Sequence, residues 1–129
     1  MCQENSVIVE KKVVRGYRIY RVCTIEESWR GHAKEGELAS FFDTYSIPPI
    51  GVKTPAEGQP FHMYKSREGL RRAIREIKDW RDSSRKKLRK CKIFLCELED
   101  GLLEGDWDYH KGIKSYTGKT LTILKEVRR

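Results

Sequence analysis

The densest chemistry in the chain lies in residues 67–90. Arg67, Arg71, Arg75 and Lys78 recur every three or four positions, so on a helix they align along one side, with Arg72 flanking the row. Arg85, Lys86, Lys87, Arg89 and Lys90 continue the positive field. Guanidinium forks and ammonium groups at this density suit phosphate oxygens. The chemistry they offer is electrostatic capture of a polyanion, with nucleic acid as the first expectation and an acidic protein surface as the second. The formal net charge is +8; residues 65–90 hold twelve Lys or Arg against four Asp or Glu, and the rest of the chain holds fifteen of each. The whole excess therefore sits in one segment and produces a directional field. No groove-reading motif accompanies it, so base-specific readout is not expected. The plain reading of the same residues is a solvated helix face.

A second group of residues offers a different chemistry. The stretch DWDYH places Asp106, Asp108 and His110 at alternate positions, which a strand would bring to one face. Together with Tyr20, His62 and Glu104, Asp106 and His110 define a candidate pocket between the mid-chain loop and the 104–110 segment. No Gly-rich phosphate loop, nucleophile elbow or HExxH sequence is present, so no enzyme activity is assigned. The four cysteines, Cys2, Cys23, Cys91 and Cys96, lack paired zinc-ligand spacing. They read as reduced, buried, small apolar residues. No metal and no cofactor is expected.

The elements that would position these groups follow from periodicity. GYRIYRVCTI, residues 16–25, is rich in aromatic and β-branched residues and apolar on both sides, which predicts a central strand. VIVEKKVV, residues 7–14, reads as one strand or two strand ends. Leu38, Phe41 and Phe42 fall at helical spacing and predict a short helix around 36–44. All four prolines lie within residues 48–60, a loop that is neither helix nor central strand. FHMY, residues 61–64, reads as a short strand. Ser66 then offers an N-cap, and Leu70, Ala73, Ile74, Ile77 and Trp80 follow at helical spacing. KIFLCEL (92–98) and TLTILKEV (120–127) are strands, and 101–119 is punctuated by glycines as a turn or hairpin. Trp29 and Trp107 fall in polar segments and read as packed beneath loops.

These elements predict one α+β domain over residues 1–129. Its mainly antiparallel curved sheet would carry one long amphipathic helix packed on it, with Arg71, Arg72, Arg75 and Lys78 turned to solvent. No apolar run approaches the ~20 residues that cross a bilayer, and the N-terminus lacks the pattern of a secretory signal. A soluble, cytoplasmic protein with no membrane contact is expected, and the sequence sets no oligomeric state.

Two resemblances add expectations. GYRIYRV, FHMYKSREGLRRAI, KIFLCELEDGLLEGD and the closing TLTILKEV resemble a group of small phage and bacterial domains of unknown function. Those domains open on a Gly-aromatic strand, carry a mid-chain Phe-His step and close near Lys-Glu-Val. Phe61 and His62 match the central step, whereas the basic run after Trp80 and the proline loop depart from the pattern. This likeness implies a phage-like module without an assigned activity. The order Arg18 or Arg21, Ser40, Glu104 resembles ADP-ribosyltransferase-like folds, which place an Arg or His early, a Ser or Tyr mid-chain and a Glu late. That likeness implies the alternative of a nucleotide-processing enzyme.

Overall fold

The computed structural model describes residues 3–22, 34–40, 46–80, 91–107 and 110–128, with side chains described over 5–22, 34–40, 46–75, 91–107 and 112–128. The strands are β1 (Gln3–Ile8), β2 (Val13–Val22), β3 (Leu38–Ser40), β4 (Thr54–Pro55), β5 (Phe61–Tyr64), β6 (Cys91–Glu99), β7 (Leu103–Trp107), β8 (His110–Gly118) and β9 (Thr120–Val127). Among the described residues one helix, α1 (Arg67–Trp80), follows β5. The strands form a single sheet in the order β1-β7-β8-β5-β2-β6-β9-β4, with β3 paired to β2 off that path.

Register explains how this sheet curls. β6 pairs β9 from Ile93↔Val127 to Glu99↔Thr120, and β7 pairs β8 from Leu103↔Thr117 to Trp107↔His110. The two pairings continue one another, so residues 91–107 and 110–127 make one long antiparallel ribbon. It bends at its middle, where Asp100 and Gly101 both take φ 61° and the Lys119 amide donates to the carbonyls of Glu99 and Asp100. The positive φ suits Asp-Gly, which turns the chain at low steric cost. β2 pairs the first half of the ribbon through β6, β5 pairs the second half through β8, and β2 meets β5 at Tyr17↔Tyr64. The sheet thus wraps around on itself.

Alternation along the strands then fills two cores. The inner face gathers Val14, Tyr20, Met63, Phe94, Cys96, Leu98, Leu102, Tyr116, Leu121 and Ile123, all from strands or the bend. The outer face gathers Ile19, Tyr64, Cys91, Ile93, Trp107 and Ile113, covered by Leu70, Ala73 and Ile74 of α1. Cys91 and Cys96 are free and buried on opposite faces. A bulge opposite Leu95/Cys96 lets β9 change faces: Ile123 lies inside and Val127 outside, although they are four residues apart. At the sheet's edge, β1 pairs β7 with a register shift between Glu4 and Val7, and leaves Val7 and Ile8 exposed.

The helix expectation is corrected by this arrangement. Among the residues whose side chains are described 61% are strand and 10% helical, and the helix there is a single short one rather than a long amphipathic one across an α+β sheet. Most of the apolar surface is buried by strands curling over strands, so the helix covers only part of the outer face. The helical spacing of Leu38, Phe41 and Phe42 also misleads. Leu38–Ser40 is strand β3, paired with Tyr20–Val22, because the open edge of β2 supplies ladder hydrogen bonds that local periodicity does not register; residues 41–45 lie outside the described set, as do 81–90. Trp107 is on a strand and buried, not beneath a loop, while Trp29 lies outside the described residues. The 101–119 segment is the hairpin half of the ribbon. The 48–60 stretch is loop except for β4, an edge strand where Pro55 needs no amide donor. No helix among the described residues is long and apolar enough to cross a membrane.

Gly16 is required by the crossing of β2 and β5. A Cβ there would sit 2.4 Å from the Tyr64 carbonyl oxygen and 2.9 Å from Met63 Sδ. Gly16→Val is expected to cost about 2 kcal/mol or more, read as a lowered urea midpoint, because a backbone oxygen has no rotamer with which to yield.

Candidate functional site

The basic face begins at a helix cap. Ser66 Oγ accepts the Gly69 amide at 2.9 Å and the Ser66 carbonyl accepts the Leu70 amide, which starts α1. Leu70, Ala73 and Ile74 turn to the sheet, and this orientation leaves Arg71 and Arg75 exposed on the far side. Glu68, in the first turn, meets both: Arg75 at 3.4 Å and Arg71 at 4.0 Å. One carboxylate shared by two guanidiniums leaves a positive surplus. With Glu68 65% and Arg75 64% exposed, these ties are weak and open readily. Arg67 leaves the predicted row. Its guanidinium stacks 5.6 Å over the Tyr17 ring, and its Nε is buried without a hydrogen-bond partner. Arg72 is half-buried, near Gly112. The side chain of Lys78 and all of Arg85, Lys86, Lys87, Arg89 and Lys90 lie outside the described residues.

Among the predicted pocket residues, Tyr20 and His62 share Arg18 as a neighbour, whereas Glu104 and Asp106 each pair with a lysine. Tyr20 is buried on the inner face, edge-on to Phe94 at 5.7 Å. His62 packs edge-on against Tyr64 at 5.2 Å, and Tyr64 in turn meets Trp107. Glu104 Oε1 lies 2.6 Å from Lys65 Nζ. That hydrogen bond holds the Glu104 carboxyl below its usual range and the Lys65 ammonium above its own, while burial raises the Tyr116 phenol beside them. Asp106 pairs with Lys114 at 2.8 Å and accepts from Asn5. Asp108 and the His110 side chain lie outside the described residues, among which no cluster of His, Cys, Asp or Glu is arranged to hold a metal. Of the residues matched to an ADP-ribosyltransferase-like order, Ser40 pairs across from Tyr20. Arg18 follows the inner-face parity of Tyr20, and Arg21 the outer-face parity of Ile19.

Two arrangements escape a sequence reading. The Lys65–Glu104–Tyr116 network is created by the β5–β8–β7 pairing, which joins residues 39 apart. Arg18 lies 5.1 Å from the Tyr20 ring centroid and 5.3 Å from that of Phe61. The RIY alternation hints at the first of these contacts, but only register brings in the second.

No protein-family model, curated protein or solved structure matches this chain.

The His62 imidazole carries a pH response. Burial, and then the positive field of Arg18, lower its pKa to about 4 from 6.5. The residue as a whole is half-buried, but Nε2 itself is closed from solvent and has no hydrogen-bond partner. Between those pH values the unfolded chain binds a proton that the folded chain refuses. Stability from this group is therefore complete above pH 6.5 and is lost as pH falls to about 4. The expected loss is on the order of 2–3 kcal/mol by urea titration across the window, and His62→Gln should flatten that slope.

Proposed function

We propose that the protein is a small binding module for polyanions, with nucleic acid as the first partner and an acidic protein surface as the second. It acts without chemistry of its own, from a cytoplasmic, phage-like setting in which its cysteines stay reduced. The observation that carries this reading is the charge of the described first part of α1. Over residues 67–75 four arginines stand against one glutamate, and the apolar stripe that packs on the sheet leaves Arg71 and Arg75 outward. An extended phosphate backbone brings several anions at once, enough to displace the single Glu68 carboxylate that the two arginines share. The sequence beyond, through Arg85, Lys86, Lys87, Arg89 and Lys90, adds further positive charge to the same segment.

The nucleotide-processing alternative would draw on Tyr20 and His62, which share Arg18 as a neighbour, and on Glu104 and Asp106, each of which is paired with a lysine.

Fluorescence anisotropy with a mixed-sequence oligonucleotide tests the proposal. Affinity is expected to fall steeply from 50 to 200 mM salt. Arg71→Gln combined with Arg75→Gln should weaken binding to every sequence alike and make the slope of log affinity against log salt shallower by about 2, one for each lost phosphate contact. A salt-independent affinity, or a double variant that binds as well as the parent, would overturn it. Binding to a polyglutamate peptide but to neither DNA nor RNA would move the assignment to acidic proteins.

A further inference from the structure

Several cations on the strands and loops of this protein meet carboxylates. Arg15 meets Glu97, Lys53 meets Glu99, Lys65 meets Glu104, Lys92 meets Glu126 and Lys114 meets Asp106. Arg18 has other surroundings. It projects on the inner face of the curled sheet, across from Phe94, and no carboxylate pairs with it among the described residues. It is half-buried, flanked by the Tyr20 and Phe61 rings, with the buried Cys96 near enough to sense its charge.

The physical consequence is a cation poised for a ligand. Two ring faces support a guanidinium through cation–π attraction, which also fixes the plane of its fork. They do not satisfy its five N–H donors, since a π-face is a poor substitute for an oxyanion. The concave side of a curled sheet, lined by apolar residues with a few convergent polar groups, is also the common place for a small-molecule site. Two surface lysines with flexible stems would not make such a site; a half-buried guanidinium flanked by two rings is better suited to one.

We propose that the inner face carries a binding site for a small oxyanion ligand, a phosphate or carboxylate group, centred on the Arg18 guanidinium with Tyr20 and Phe61 as its walls. This site is distinct from the outward face of α1. The helix packs on the outer face of the sheet, whereas Arg18 lies on the inner one. The inference does not rest on polyanion binding by the helix.

The test is an NMR titration of the full chain with inorganic phosphate and, separately, with acetate, at constant pH and ionic strength. The Arg18 Nε–Hε resonance and the His62 ring are followed. An anion on Arg18 offsets part of the field that depresses the imidazole, so the His62 pKa should move upward from about 4 when the site fills. Saturable shifts at Arg18 with phosphate, acetate or both support the site, and the stronger of the two identifies its chemistry. Arg18→Gln should weaken binding about tenfold or more. Arg18→Lys, which keeps the charge but not the fork, should weaken it by a smaller factor while leaving the fold intact. Arg71→Gln with Arg75→Gln should leave it unchanged, which separates this outcome from that of the helix. Absence of saturable shifts at Arg18 with either anion, or equal shifts in the Arg18→Gln protein, would overturn the proposal.

Discussion

The structure depends on one continuous pairing, that of residues 91–107 with 110–127. Because its two halves share a register through the bend, each arm serves two parts of the sheet. The near half takes β5 and β1 as neighbours, and the far half takes β2 and β4. Only β2 and β5 need then meet, at Tyr17 and Tyr64, for the sheet to come round on itself. That meeting demands a residue without a side chain at position 16, where the Tyr64 carbonyl lies closer than any Cβ tolerates. The inner core, the placing of Arg18 between two rings and the outer shelf for the helix all inherit their positions from this closure.

Seen from that closure, the division of polar chemistry between the two faces has a simple origin. Period-2 alternation sends Arg18 and Tyr20 inward and Ile19 outward, and sends Phe61 and Met63 inward while Tyr64 goes out. The outward residues form the platform on which Leu70, Ala73 and Ile74 rest. Over residues 67–75 the side chains turned away from that seat include Arg71 and Arg75, both exposed. The electrostatic surface and the apolar seat are thus two readings of one helical period.

How much of this was legible in the sequence depends on whether the signal was local. Strands 61–64, 92–98 and 120–127 declared themselves through β-branched and aromatic content, and the opposite facings of Cys91 and Cys96 follow from their spacing alone. The cap at Ser66 and the stripe of Leu70, Ala73 and Ile74 were legible for the same reason. The fold class was not. Helical spacing says that a helix exists, but not what share of the core it covers, and here strands cover most of it. β3 was missed because its ladder partner is β2, some twenty residues earlier in the chain. The row of arginines was half legible: spacing placed Arg71 and Arg75 correctly, whereas the Tyr17 ring that draws Arg67 aside belongs to a distant strand.

One feature at the sheet's margin bears on how the molecule behaves in company. β1 ends the strand order and carries Val7 and Ile8 in the open, and such an edge invites a foreign strand to stack on it. Asn5, at φ 55°, falls within the register break between Glu4 and Val7, so the ladder on offer is interrupted after a few residues. A growing fibril needs a long straight template, and this kink denies it one. The crooked edge works as a safeguard against polymerisation at high protein concentration.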